Sequence, residues 1–178
     1  AYPLLEAIKL LGEHVPDLRC IVLGDYVYGS EAAYRAAIAE AGLEAHLHLL
    51  GTVPFAEVPA YIAVAQVGLI LFQPGPLNHT LAMPHKLFDY MREARPVVAP
   101  DFAVEVAHIV RETECGVLVD VTDPAAIAAA ALRLLRDPAE AARLGANGRR
   151  AVETTYNWQQ DERRLLDAIA TLAPERSA

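Results

Sequence analysis

The sequence predicts a single α/β domain over residues 1–178, a Rossmann-like doubly wound parallel sheet with helices on both faces. Short apolar runs alternate with segments of helical periodicity along the whole chain, as expected when helices connect parallel strands. The runs are almost wholly apolar, as in VGLILF at 67–72, and such strands are buried on both faces. An apolar fraction of 54% supports a large core.

The first half of the chain alternates helix and strand three times. Leu4, Ile8 and Leu11 recur at helical spacing and predict the first helix. Ser30 is suited to cap the second helix, and Gly42 is a stop signal for it. The predicted helices are 2–14, 30–41 and 56–65, and the predicted strands are 18–23, 46–50 and 67–72.

The second half continues the same alternation. Two of its helices begin with the same device, Asp123-Pro124 and Asp137-Pro138, in which the aspartate caps free backbone N–H groups and the proline occupies the first turn. The PERSA tail is expected to fray. The other predicted elements are helices 84–93, 103–111 and 157–172 and strands 96–99 and 117–119.

Charge and composition exclude several classes of protein. Fifteen Lys and Arg residues against 23 Asp and Glu give a net charge of −8, which argues against a nucleic-acid partner. The two cysteines, Cys20 and Cys115, lack CxxC spacing and indicate packed, reduced thiols in a cytoplasmic protein. Glu6 and Lys9 interrupt any secretory signal at the start. The nearly uncharged stretch 58–79 contains several prolines and predicts a helix followed by a strand, not a membrane span.

The segment PHKLFDYM at 84–91 is the strongest candidate for a site. It opens a helix after a loop of small and polar residues, and unpaired N–H groups at a helix start attract anions. Lys86 in the first turn opposes the helix dipole unless an anion lies nearby. Asp89 lies about one turn further, where it could accept hydrogen bonds from paired hydroxyls. The competing interpretation is an ordinary solvated i,i+3 pair between Lys86 and Asp89.

A resemblance to a known family rests on four strings in order. KLFDYM followed by RPVVA at 95–99 resembles the KLFEYMAAGKPVVA region of the family 4 (group 1) GT-B glycosyltransferases. LLEAIKLLGEHVPDLRCIVLGD and LHLLGTVPFAEVPAYIAVAQVGLILF resemble the family's earlier helices and strands. CGVLV with Asp123-Pro124, and the ending from Asn147-Gly148 to Trp158, resemble its closing segments.

The resemblance implies a C-terminal, donor-nucleotide-binding domain for a nucleoside-diphosphate sugar of the UDP or GDP type. The backbone at Met83, Pro84, His85 and Lys86 would hold the diphosphate, and Asp89 would hold the ribose hydroxyls. The whole protein would transfer a hexose, with retention, to an acceptor. The alternatives are a GT-B nucleotide-sugar epimerase and a non-catalytic sugar-nucleotide-binding module. Catalytic residues stay unassigned.

The same resemblance implies further contacts. Thr52 and Val53 would cradle the base, and Gly24 would form a ligand-facing turn. His79 and His85 flank the donor loop and would line its pocket. No cofactor is expected, since the nucleotide sugar is a substrate, and no metal is expected.

Three departures from the family pattern stand out. Leu81 occupies the position of a glutamate that contacts the donor sugar, and Ala94 replaces a glycine. The basic pair that grips the diphosphate would lie before Ala1. The chain is therefore expected to be a fragment without the N-terminal acceptor domain and the first central strand, and to be inactive alone. Any peripheral membrane association is expected only through that other domain. Without the central strand, strand 18–23 would close on strand 67–72, a swapped segment would fill the gap, or the chain would continue upstream.

Overall fold

The computed structural model describes residues 2–25 and 30–172 of the chain. The predicted helices and strands occur in the predicted order, with a short 3-10 turn at Phe55–Glu57 and an added one-turn helix, α4. The prediction for the PERSA tail concerns residues outside the described part. Strands β1 to β5 are Cys20–Leu23, Leu47–Gly51, Gly68–Leu69, Val97–Pro100 and Gly116–Val119. Helices α1 to α9 are Tyr2–Gly12, Glu31–Glu40, Val58–Val64, Leu77–Thr80, His85–Arg92, Val104–Thr113, Pro124–Arg136, Pro138–Thr154 and Trp158–Leu172.

The strands form two parallel sheets and not one continuous sheet. One sheet has the order β1-β2, and the other has the order β3-β4-β5. Strand β3 is only two residues long, although the apolar run predicted a strand over 67–72. An apolar run indicates burial, but a strand also needs a hydrogen-bonded neighbour along its length. The only strand that β3 pairs with among the described residues is β4. Direct closure of β1 on β3 does not occur among the described residues.

Helices cover both faces of the sheets, which confirms the predicted fold class. Helices α1, α2 and α7 share one apolar cluster, in which Ile8 and Ile127 are almost completely buried. Helices α5 and α6 share a second cluster, which includes Leu87. Neighbouring residues of β4 point to opposite clusters, since Val98 belongs to the first and Val97 to the second. Strand β4 is therefore buried on both faces, as its sequence predicts.

The predicted helix caps are present. The Ser30 side chain accepts a hydrogen bond from the backbone N–H of Ala33. Asp123 and Asp137 accept from backbone N–H groups in the first turns of α7 and α8. These bonds satisfy N–H groups that would otherwise lack a partner at the helix start.

Helix α9 buries none of its residues, unlike the other described helices that are longer than one turn. Its apolar side chains, among them Trp158 and Leu172, are exposed. No helix among the described residues is long and apolar enough to cross a membrane. Both cysteines are free thiols, and burial raises the pKa of each, that of Cys20 to about 11.

Candidate functional site

The start of α5 offers unpaired backbone donors. Pro84 is the N-cap residue, has an extended backbone, and caps nothing with its side chain. The first bond of the turn joins the Leu87 N–H to the Pro84 carbonyl, so the N–H groups of His85 and Lys86 precede the first turn's hydrogen bonds. Pro84 itself has no N–H to offer, which limits the donors predicted here to Met83, His85 and Lys86.

Lys86 adds a positive charge at the start of α5. Among the described residues it forms no ion pair, and the solvated pair with Asp89 that was the competing interpretation is absent. Lys86 is exposed, yet neighbouring atoms crowd its ammonium group enough for desolvation to lower its pKa. A lowered pKa means that the charged form lacks compensation, and an anion at the helix start would supply it.

Asp89 pairs with Arg92 and not with Lys86. The Arg92 Nη2 lies 3.6 Å from the Asp89 Oδ1, and the Asp89 side chain is 21% exposed. The pair joins residues one turn apart on α5, so it orients the carboxylate without burying it. Asp89 is therefore half-buried, charged, and one turn away from the free N–H groups.

The turns after β1 and β2 meet. The Gly24 N–H donates to the Gly51 carbonyl over 2.8 Å, and Gly24 has a φ of 114° that favours glycine. This bond places Gly24 beside the segment that continues into Thr52 and Val53. Thr52 is exposed and Val53 is half-buried. No hydrogen bond in the described part of the chain links this group to the start of α5.

Sequence reasoning missed an aromatic cluster at the carboxyl ends of β3 and β4. The ring of Phe72 contacts Phe102 edge to face at 5.7 Å and His79 at 5.9 Å. The Nδ1 of His79 lies 2.7 Å from the Gln73 carbonyl, which fixes the ring against the segment between β3 and α4. The sequence does indicate this cluster, because Phe72 ends one predicted strand and Phe102 follows another. Residues in these positions lie at the edge where ligands bind in open α/β sheets.

His85 is exposed at the helix start, and Leu81 is 56% exposed in the preceding loop. His46 lies just before β2, far along the chain from these residues, and its Nδ1 contacts the Leu18 carbonyl. The described residues hold no group of three or more His, Cys, Asp or Glu residues placed to bind a metal.

A family model described as glycosyl transferases group 1 matches residues 2–137. The match covers most of the chain, and the chain belongs to this family. It is 26% identical over 170 residues to the amylovoran biosynthesis glycosyltransferase AmsK of Erwinia amylovora, an alignment that covers 95% of the chain and 41% of AmsK.

Two solved structures show the same fold. HepE of Anabaena, in complex with UDP, superposes with a TM-score of 0.80 at 17% identity, over 96% of this chain and 44% of HepE. The C-terminal domain of the group 1 glycosyl transferase LpcC from Francisella tularensis gives 0.72 at 20% identity, over 88% of this chain and 79% of that domain. The chain spans about two fifths of AmsK, and it has the fold of the C-terminal domain of LpcC.

Proposed function

We propose that the chain binds the diphosphate of a UDP- or GDP-linked sugar at the start of α5. The observation that carries the proposal is the set of N–H groups at His85 and Lys86 that precede the first turn's hydrogen bonds, together with a lysine that forms no ion pair within the described part of the chain. Phosphate oxygens accept hydrogen bonds from such groups, and the helix dipole favours their charge. The net charge of −8 would repel an anion at long range. The attraction for a diphosphate therefore has to come from a local feature such as this helix start.

The nucleoside is assigned to the residues around this start. Asp89 accepts hydrogen bonds from the ribose hydroxyls, and Arg92 keeps its carboxylate oriented. The turn at Thr52 and Val53, with Gly24 beside it, receives the base. UDP in HepE supports a nucleotide ligand for this fold, and which base this chain prefers is part of the test.

Transfer itself is assigned to the whole cytoplasmic protein. Transfer of a hexose with retention of configuration needs an acceptor site. We place that site in an N-terminal domain of the same polypeptide. The 41% coverage of AmsK supports this arrangement, because more than half of that relative lies outside the alignment. The chain alone then binds donor weakly and does not transfer, and the reaction uses neither a cofactor nor a metal.

Lys86 and Lys9 are the only lysines of the sequence, which makes a matched chemical test. Amine acylation followed by peptide mass spectrometry is run on the chain with and without UDP or GDP. We expect nucleotide to protect Lys86 and to leave Lys9, on the exposed side of α1, unchanged. Because half a cleft binds weakly, nucleotide is raised to about 10 mM, an order above a millimolar Kd. Equal labelling of Lys86 at every concentration would refute the diphosphate assignment.

One observation favours a second candidate function. Leu81 places an exposed apolar side chain where the resembling family has a glutamate that contacts the donor sugar. A non-catalytic binding module would tolerate that change. Donor turnover by the full polypeptide separates the functions, because transfer requires acceptor, epimerisation does not, and a binding module turns over donor in neither case.

A further inference from the structure

The outer edge of β5 carries backbone groups that no described strand uses. The Val97 N–H donates to the Cys115 carbonyl, so this carbonyl faces β4. Successive residues of a strand turn their N–H and C=O groups to opposite sides, and the groups of Gly116 and Leu118 therefore point away from β4. Strand β5 is the last strand of the β3-β4-β5 sheet, and no described strand lies beyond it.

The outer edge of β2 is covered by a side chain, in contrast to that of β5. By the same alternation the Leu49 carbonyl points away from β1, and the Arg35 Nη2 donates to it over 3.3 Å. Arg35 is held in turn by an ion pair with Glu31. No described side chain bonds in this way to the backbone of Gly116 or Leu118. Because proteins usually block exposed strand edges, an edge left open is a candidate for strand addition.

The open edge of β5 forms the floor of a groove of about 420 Å³. Helix α6 lines it with Val110 and Arg111, helix α7 lines it with Arg133, and α8 lines it with Arg143 and Leu144. Helices α6 and α7 lie on opposite faces of the sheet, since they belong to different apolar clusters. The strand is half-buried along most of its length, so its edge is recessed between the helices.

A recessed edge fits a single extended segment better than a second copy of this fold. In a second copy β5 would lie in the same recess. Helices α6 and α7 of the two copies would then meet before the strands approached to the spacing of about 4.8 Å that a sheet requires. An extended segment without such helices can enter the groove and supply donors and acceptors to Gly116 and Leu118. The volume also lies within the range of about 300–1,000 Å³ that is usual for ligand sites.

The charges that line the groove favour an acidic segment. Its two glutamates already have partners, because Glu140 pairs with Arg133 and Glu114 pairs with Arg143. Arg111 is exposed in the groove and forms no ion pair with any described residue. The groove is therefore positive, although the whole chain has a net charge of −8. A carboxylate beside Arg111 would complement this local charge.

We propose that the groove along β5 binds an extended acidic segment of a partner protein, which adds a strand to the β3-β4-β5 sheet. Gly116 and Leu118 form the backbone bonds that hold an extended segment, and Arg111 supplies the preference for acidic side chains. The groove contains no residue of α5, so the partner and the nucleotide bind at different places on the domain.

An NMR titration of the chain with a hexapeptide of alternating aspartate and valine, blocked at both ends, tests the proposal. In the free chain the amides of Gly116 and Leu118 should exchange about 100-fold faster than that of Val117, which faces β4. The peptide, added to about 10 mM, should shift the signals of the two outward amides and slow their exchange about tenfold or more. The same peptide methylated on every backbone nitrogen should not bind, because it has no N–H groups to donate.

Two arginine variants test the preference for an acidic segment. Arg111→Glu should weaken binding of the aspartate peptide about tenfold. Arg150→Glu is the matched control, because Arg150 is an exposed arginine outside the groove, and it should change the affinity by less than about twofold. A peptide with lysine in place of aspartate should bind the parent chain at least tenfold more weakly, by about the same reasoning.

Several results would overturn the proposal. One is the absence of shifts at Gly116 and Leu118, and another is equal binding of the methylated or the lysine peptide. Protection of these two amides in the free chain at every concentration would assign the edge to another segment of the same chain. Protection that grows with concentration would assign it to a second copy, and both outcomes would exclude a partner strand.

Discussion

The ends of α2 and α5 provide a matched pair of positions for a stability test. Each helix ends in the same bonding pattern: the N–H of Leu43 bonds to the Ile38 carbonyl after α2, and that of Arg95 bonds to the Tyr90 carbonyl after α5. This pattern requires a left-handed residue in between. Gly42 supplies it with a φ of 67°, and Ala94 supplies it with a φ of 52°. The family resemblance expects glycine at position 94, and the structure shows why.

We expect Ala94→Gly to stabilise the chain and Gly42→Ala to destabilise it. An L-residue in the left-handed region costs about 1–2 kcal/mol, and the greater freedom of unfolded glycine offsets about 0.4–1 kcal/mol of this. A Cβ added at Gly42 meets no atom within 4 Å, so Gly42→Ala should cost only the difference, about 0.5–1 kcal/mol. Ala94→Gly also loses part of a half-buried methyl group, which leaves a gain of about 0.5 kcal/mol.

Urea unfolding of the two variants and the parent chain measures both effects. Opposite signs at the two positions support the left-handed conformation of Ala94, and equal m-values would show that only stability has changed. If Ala94→Gly destabilises the chain by as much as Gly42→Ala, then Ala94 does not have a positive φ in solution, and the strain argument fails.

Three further predictions concern the site, the last helix and a thiol. Asp89→Asn should weaken UDP or GDP binding by about 1.5–3 kcal/mol, which is roughly 10- to 150-fold in an NMR titration, and Arg92→Gln should weaken it less. Unchanged affinity in the Asp89→Asn variant would contradict the ribose assignment. Truncation after Asn157 should leave the urea midpoint almost unchanged because α9 buries no residue, and a clear drop would show that α9 packs on the domain. Because burial raises the pKa of Cys20 to about 11, alkylation at pH 8 should be about 100-fold slower in the folded Cys115→Ser chain than in the same chain in urea. Similar alkylation rates in the folded and unfolded chain would contradict the burial of Cys20. Because the folded state favours the protonated thiol, the contribution of Cys20 to stability should fall as pH rises from about 8.5 towards 11.

The sequence alone determined the order of the elements and the position of the candidate site. Ser30, Asp123 and Asp137 were identified as caps from neighbouring residues, and each forms the expected bond. The helix start at 84–86 was identified in the same way, since proline and the loop before it end one element and begin another. These features depend on residues within a few positions of each other, so periodicity and local hydrogen bonding are enough to predict them.

Only the tertiary structure decided which groups became partners. Asp89 has a cation one turn away on each side, and in the structure it pairs with Arg92, while Lys86 forms no ion pair with any described residue. Phe72 meets Phe102 because β3 pairs with β4, a contact between residues 30 positions apart. In the apolar run at 67–72, only Gly68 and Ile70 are buried and the other four residues are half-buried, and the strand is short and pairs with β4 alone. A strand's own sequence specifies which side chains are apolar, and the chain around it determines which strand lies beside it.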